Sequence, residues 1–401
     1  MRNASDFIPT GSSTIVSSGS VTYSAPSNIA LVKYWGKLSN QVNELGLADT
    51  QIPANPSLSF TLKNCHTVTS LAYARLENAA ATFSFELLFE GQPKPEFHPK
   101  IEQFFLRIAQ YCPYLKEYHF VISSHNTFPH SSGIASSASG MAALAVNIMH
   151  LEQQIYPELS ADYVAQKASF LARLGSGSAC RSIKGSAVVW GETPSIEGSS
   201  NQYGISFPGE IHSVFEQYQD TILLVDKGEK QVSSTVGHEL MHGHPFAQNR
   251  FAQAHEHLAQ LKEIFATGNL DQFIALVESE ALTLHAMMMC SQPYFILMKP
   301  NTLEIIQRIW QFRSRTNTPI CFTLDAGANV HVLYPQAHKE KCLQFIQAEL
   351  VGYCQKEQYI CDQIGDGAQM IVDWRVLISP MNLGLHRERL LEERKLLIIH
   401  F

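Results

Sequence analysis

The amino-acid sequence predicts a two-domain α/β (α+β) protein, and three observations carry that prediction. The first is size and composition: 401 residues, 45% hydrophobic and 16% charged, is globular usage with enough apolar material for more than one core. The second is alternation. Strand-like runs rich in Val, Ile, Phe and Thr at 66–73, 82–89, 118–123, 186–190 and 221–225 are separated by helical patterns, with no fixed-period repeat. The third is a loop-like stretch at 193–208, dense in Ser, Gly, Pro and Asn, which places a domain boundary just beyond it near residue 215. The expected organisation is a flexible extension over 1–20, a first domain over 21–215, a second over 216–370 and a tail over 371–401.

The clearest helix covers 246–265, where Phe251, Ala254, Leu258, Leu261 and Phe265 recur at three-and-four spacing and form one apolar stripe. A second helical pattern runs from 270 to about 289. Within the tail, residues 385–397 mix charges and leucines as an amphipathic helix would, either docked on its own protein or making a dimer contact.

Charge and cysteine usage exclude several classes. Lys plus Arg number 29 against 36 Asp plus Glu, a formal charge of -7, so there is no general basic surface for a nucleic-acid backbone. The longest uncharged stretch, 131–149, is full of Ser and Gly and does not read as a membrane span. The first 20 residues lack the apolar core of a secretory signal, and the eight cysteines include no Cys-x-x-Cys pair, so a cytoplasmic protein is expected. A homodimer is the expected assembly.

Four segments carry chemistry. Pro129-His-Ser131-Ser132-Gly133-Ile-Ala135-Ser136-Ser137-Ala-Ser139-Gly follows a strand pattern and enters a helical one. Small residues before a helix N-terminus let backbone N–H groups approach an anion, and the Ser136 and Ser137 hydroxyls add a phosphate or metal contact. The letters fit neither a Walker loop nor the dinucleotide glycine pattern. In Asn28-Ile-Ala-Leu-Val-Lys33-Tyr34-Trp-Gly-Lys37 the apolar run ends on a lysine, which reads as a cation beside an acid or phosphate or as a side chain that snorkels outward. Gly175-Ser-Gly-Ser178-Ala-Cys-Arg181-Ser holds one arginine among small residues, a candidate fork for a carboxylate. Phe322-Thr-Leu-Asp325-Ala-Gly-Ala-Asn ends a short strand on a carboxylate, where either a cap or a catalytic base belongs.

A fifth pattern competes. His238-Glu239-Leu-Met-His242 matches the zinc-peptidase letters, which require both histidines on one helical face and a further ligand, for which Glu263 is the distant candidate. Gly243 and Pro245 follow at once. The alternative places His238, His242 and His244 at a helix or loop end lining a polar site.

Taken in order with Val232-Ser-Ser-Thr235, the four segments resemble the mevalonate diphosphate decarboxylases, within the superfamily of galactokinase, homoserine kinase, mevalonate kinase and phosphomevalonate kinase, over roughly residues 24–366. The resemblance implies an N-terminal domain with a left-handed β-α-β unit, a ferredoxin-like C-terminal domain and a site in the cleft between them. It implies ATP-dependent decarboxylation of mevalonate 5-diphosphate through 3-hydroxyl phosphorylation; a mevalonate 5-phosphate decarboxylase and a 3-kinase are the alternatives within the same machinery. By the same resemblance Asp325, Lys33 and Arg181 are catalytic. Asn28, Tyr34, Lys37, Ser178 and Arg181 bind substrate. Ser131, Ser132, Gly133, Ala135, Ser136, Ser137 and Ser139 cradle ATP, with Mg2+ on Ser137. Arg75 is the nearest candidate for a further phosphate-binding arginine. The chain departs from the family pattern where His238 stands in place of a Met after Ser-Ser-Thr-x-Gly, and where Ala328 stands in place of a Pro.

Overall fold

A computed structural model of the chain describes residues 2–38, 41–43, 50–129, 134, 136–226 and 234–371. In chain order the strands are β1 (Ser18–Val32), β2 (Ser57–Arg75), β3 (Ser84–Phe89), β4 (Gln92–Pro93), β5 (Tyr118–Asn126), β6 (Ala187–Trp190), β7 (Ile205–Ser206), β8 (Gln219–Leu223), β9 (Cys321–Thr323), β10 (Val330–Tyr334), β11 (Tyr359–Gln363) and β12 (Gln369–Met370). The helices are α1 (His98–Ile108), α2 (Ser136–Ile155), α3 (Ala161–Gly175), α4 (Ser234–Glu239), α5 (Ala247–Thr267), α6 (Leu270–Met289), α7 (Pro300–Thr316) and α8 (Lys339–Phe345). Residues through Met370 form one compact unit that contains both sheets.

The first sheet runs β12-β1-β2-β5-β3-β4, with β6 and β7 branching from β2. β2 divides its length between partners, pairing β6 over Ser57–Phe60 and β5 over Thr67–Arg75. Over 65–73 its side chains alternate between buried and half-buried, the period-two pattern of a strand with one face on the core. β1 breaks register between Pro26 and Asn28, where a proline that cannot donate to the ladder is accommodated, and its residues from Ala25 onward are all buried. The second sheet, β11-β8-β10-β9, is antiparallel throughout. Asp362 on β11 joins the two sheets: its carboxylate accepts from the backbone N–H groups of Lys63, Asn64 and Cys65 at 3.1, 2.8 and 2.8 Å.

α2 is buried along most of its length and packs on β1, β2 and α3, which its many alanines permit. α5 and α6 lie against the interior end of β1, and α6 also against β9. The extension expected over 1–20 is instead partly packed: Ala4 and Phe7 are buried, and Phe7 stacks on Phe170 at 4.6 Å. A single Phe with a matching aromatic surface is enough to dock a segment whose letters otherwise read as loose. The tail beyond 371 lies outside the described residues.

Candidate active site

The strip that follows β1 is the floor of the site. Lys33 is held at both ends of its own peptide: its N–H donates to Glu280 Oε2 at 2.8 Å, and its carbonyl accepts from Arg250 Nη2 and Asn55 Nδ2, both at 2.9 Å. Glu280 and Arg250 are fully buried and paired in two parallel bonds of 3.0 and 2.6 Å, with His257 Nδ1 2.6 Å from Glu280 Oε1. Burial alone would raise the Glu280 carboxyl; Arg250, His257 and the Lys33 N–H outweigh it and hold it below the usual range.

With its backbone fixed, Lys33 extends an almost fully buried side chain to Asp325, Nζ to Oδ1 at 3.2 Å. Burial pulls the ammonium below the ordinary lysine range, and Asp325 and Glu280 oppose that shift. Asp325 sits just past β9 and keeps 33% side-chain exposure while its Oδ1 meets the lysine. His285 on α6 donates from Nε2 to the Asp325 carbonyl at 3.1 Å; burial lowers its ring to about 4, so it is neutral near pH 7.

Arg181 lies on a short 3-10 helix at Gly177–Ser182 and is 3% exposed. Nε donates to Ser59 Oγ at 2.6 Å and Nη1 to Ser57 Oγ at 2.7 Å, two hydroxyls on the same face of β2, and the guanidinium lies 5.7 Å over the Trp190 ring. Among the described residues no carboxylate pairs with it. A buried guanidinium anchored by neutral hydroxyls, with Asp325 near but no carboxylate paired to it among the described residues, is prepared for an anion.

Asn28, which the resemblance assigns to the substrate, also braces the Arg181 segment. Its Nδ2 donates to the Ser178 carbonyl at 3.1 Å and to Ser182 Oγ at 2.8 Å, so both amide hydrogens are committed to holding the helix that carries Arg181. Ser178 is half-buried on that helix. Tyr34 packs edge-on against Trp190, and its buried hydroxyl has no partner among the described residues; burial pushes it far above the usual range, so it remains an O–H donor. Lys37 is half-buried, and burial lowers its ammonium against the pull of Glu239.

Of the nucleotide loop, Ser131, Ser132, Gly133 and Ala135 lie outside the described residues. Ser136 and Ser137 open α2; Ser137 is exposed and its Oγ accepts from Lys100 Nζ at 3.1 Å. Ser139 is buried and committed to Thr67, Oγ to Oγ1 at 2.6 Å, so its hydroxyl fastens α2 to β2 rather than facing a ligand. Arg75 does not reach the cleft. It stands at the opposite end of β2 from Ser57 and Ser59 and pairs with Glu117 at 3.0 Å.

The zinc pattern does not assemble. α4 stops at Glu239, so His238 and His242 do not share a helical face, and His238 Nδ1 already accepts from the Gly36 N–H at 2.9 Å. Among the described residues no group of three or more His, Cys, Asp or Glu is placed to hold a metal.

Sequence reasoning missed Glu280, Arg250, Lys100, Ser57 and Ser59. The signals are faint: a glutamate inside the apolar α6 pattern, and two serines spaced by two at the start of a strand.

The chain is similar to known proteins over most of its length. The family described as the diphosphomevalonate decarboxylase-like N-terminal domain matches residues 25–201, and the mevalonate 5-diphosphate decarboxylase C-terminal domain matches 221–372. The diphosphomevalonate decarboxylase of Saccharomyces cerevisiae is 30% identical over 343 residues, covering 80% of this chain and 79% of that one. The mevalonate diphosphate decarboxylase from Enterococcus faecalis superposes with a TM-score of 0.71 at 27% identity, covering 88% of this chain and 98% of that one. A structure of MDDEF in complex with MVAPP, AMPPCP and magnesium superposes with the same TM-score at 28% identity and the same coverage.

Proposed function

Because this chain belongs to the diphosphomevalonate decarboxylase family, we propose that its cleft carries out ATP-dependent decarboxylation of mevalonate 5-diphosphate to isopentenyl diphosphate, releasing ADP, phosphate and CO2. The observation that carries this reading is the conjunction of an ion-paired, partly exposed Asp325 with a buried Arg181 that has no carboxylate paired to it among the described residues.

Asp325 takes or orients the proton of the substrate's tertiary 3-hydroxyl. The Lys33 ammonium favours the ionised carboxylate needed for that task, and the Glu280–Arg250 pair keeps Lys33 from swinging away. ATP with Mg2+ supplies the phosphoryl group that turns the hydroxyl into a leaving group. Arg181 grips the substrate carboxylate with the donors that Ser57 and Ser59 leave free, so that the bond to CO2 is aligned with the departing phosphate; orientation of this kind is worth roughly 7–11 kcal/mol in good cases. Asn28 and Ser178 position Arg181, and Tyr34 and Lys37 meet the diphosphate.

The residues at the start of α2 suit the nucleotide phosphates. A 20-residue helix opens on Ser136 and Ser137, and Lys100 brings a cation to the same point, which fits an anion with Mg2+ held through Ser137. The same reading places the chain in the cytoplasm, supported by eight cysteines that are all unpaired, and makes it a homodimer, to be checked by sedimentation.

The test is release of ADP and CO2 by purified protein with ATP and Mg2+ on mevalonate, its 5-phosphate and its 5-diphosphate. Equal ADP and CO2 from the 5-diphosphate is expected. ADP without CO2 would make the protein a 3-kinase, and preference for the 5-phosphate would change the substrate.

A further inference from the structure

We propose that His238 is a specificity-determining residue: its Nε2–H donates to the diphosphate end of the substrate beside the Tyr34 hydroxyl and the Lys37 ammonium, an assignment that rests on the decarboxylase reading above. The strip after β1 and the end of α4 face one another here. The Gly36 N–H donates to His238 Nδ1 at 2.9 Å. A ring nitrogen that accepts carries no proton, so the neutral ring bears its hydrogen on Nε2.

The ring is neutral because burial, reinforced by nearby Lys37 and Arg181, holds it well below the usual histidine range. It is also fixed in direction. Its centroid lies 4.2 Å from that of Tyr34 and 4.7 Å from that of Trp35. Gly237 permits this approach, since a Cβ there would come within 2.5 Å of the Trp35 ring.

His238 is only 5% exposed, and the one hydrogen bond of its ring among the described residues is made by Nδ1, which leaves Nε2–H available at the edge of the cleft. The Tyr34 hydroxyl beside it is buried and unmet among the described residues. Two available neutral donors and one cation in one place fit a ligand with several anionic oxygens, and the buried Tyr34 hydroxyl without a partner is a cost that such an oxygen relieves. A diphosphate offers more of these oxygens than a monophosphate, so His238 contributes to telling the two apart.

Two isosteric substitutions separate the nitrogens. His238→Asn keeps an acceptor for Gly36 and has nothing at the Nε2 position, whereas His238→Gln restores an N–H there and gives up the Gly36 acceptor. With purified full-length protein, His238→Asn is expected to raise KM for the 5-diphosphate and Kd for inorganic pyrophosphate about tenfold, the usual scale for a hydrogen bond to a charged group. The change in KM for the 5-phosphate should be smaller, and the loss should fall on KM more than on kcat. His238→Gln should lie closer to the unmutated protein. Unchanged constants in His238→Asn, or equal loss in both variants, would overturn the assignment.

Nitrogen NMR of the unmutated protein removes any dependence on how the variants fold: the His238 Nε2 resonance should move on saturation with pyrophosphate, and a resonance that stays put overturns the proposal. Failure of the unmutated protein to release CO2 from the 5-diphosphate would count against the decarboxylase reading, while the pyrophosphate readouts would still decide His238.

Discussion

Two lysine–carboxylate pairs stand in this chain in opposite settings. Under α2, Lys167 and Glu152 are both fully excluded from solvent; Nζ lies 2.6 and 2.7 Å from the two carboxylate oxygens and 2.6 Å from the Tyr111 carbonyl, and the Tyr114 hydroxyl adds a bond to Glu152 at 3.1 Å. At the cleft, Lys33 is equally buried but has one contact of 3.2 Å to an aspartate that is one-third exposed. The first pair has spent its donors on the fold. The second keeps a carboxylate with one-third of its side chain exposed, and its lysine is anchored through the backbone by Glu280 and Arg250. Similar charges thus serve stability when their bonding capacity is filled from within, and chemistry when part of it is left for a ligand.

The sharpest separation should come from Asp325→Ala. Loss of a general base lowers turnover roughly 10²–10⁴-fold, while nucleotide binding should change little; the buried Lys33 left behind, already held below the ordinary lysine range, can shed its proton, so the melting temperature should fall less than in a variant that strands Glu152. ADP release measured beside nucleotide titration and thermal unfolding checks this; a large fall in melting temperature would break the comparison.

Lys167→Met should do the reverse. Stranding a buried Glu152 costs about 3–5 kcal/mol of stability, whereas Lys167→Met combined with Glu152→Leu recovers most of it, since an apolar pair of similar volume replaces the ion pair. Denaturant unfolding gives both values, and kcat per folded molecule should stay near that of the unmutated protein.

Arg181→Lys comes next in size. A point charge cannot reproduce a two-pronged grip, and losing a charge-assisted bond of about 1.5–3 kcal/mol lowers kcat/KM by roughly ten- to a hundredfold. Normal CO2 release in this variant would remove the carboxylate assignment.

The smallest effect is on pH dependence. Lys33 is held below the ordinary lysine range, so its charged form, which supports the ionised Asp325, is present at pH values below its own pKa and is lost as pH rises through it. The alkaline limb of activity should therefore fall below the ordinary lysine range. A limb at the ordinary position would show that Lys33 is not sensed by the reaction.

Much of this site is legible in the letters because its groups stand where the chain changes character. Lys33 ends an apolar run, Asp325 ends a strand, and Arg181 is the one charge in a turn of small residues. The stretch from Ser136 to Gly140, which reads as loop ahead of a helix, is instead the first turn of α2, and there Ser139 turns inward to Thr67, since a helix sends adjacent residues to different faces. The zinc reading of His238 and His242 failed for a local reason: α4 ends too early for the two to share a face.

The sequence by itself determined the alternation of strands and helices and the absence of a general basic surface, which follow from composition and periodicity, and it marked Lys33, Arg181 and Asp325 as candidates, whose roles are implied by the resemblance of the ordered motifs. Only the tertiary structure decided that Glu280, 247 positions away, clamps the Lys33 peptide, that Asn28 holds the helix of Arg181, and that His238 closes over Gly36. Such contacts join residues far apart in sequence, and their energy is realised only once the sheets and α6 have packed and excluded water from the groups between them.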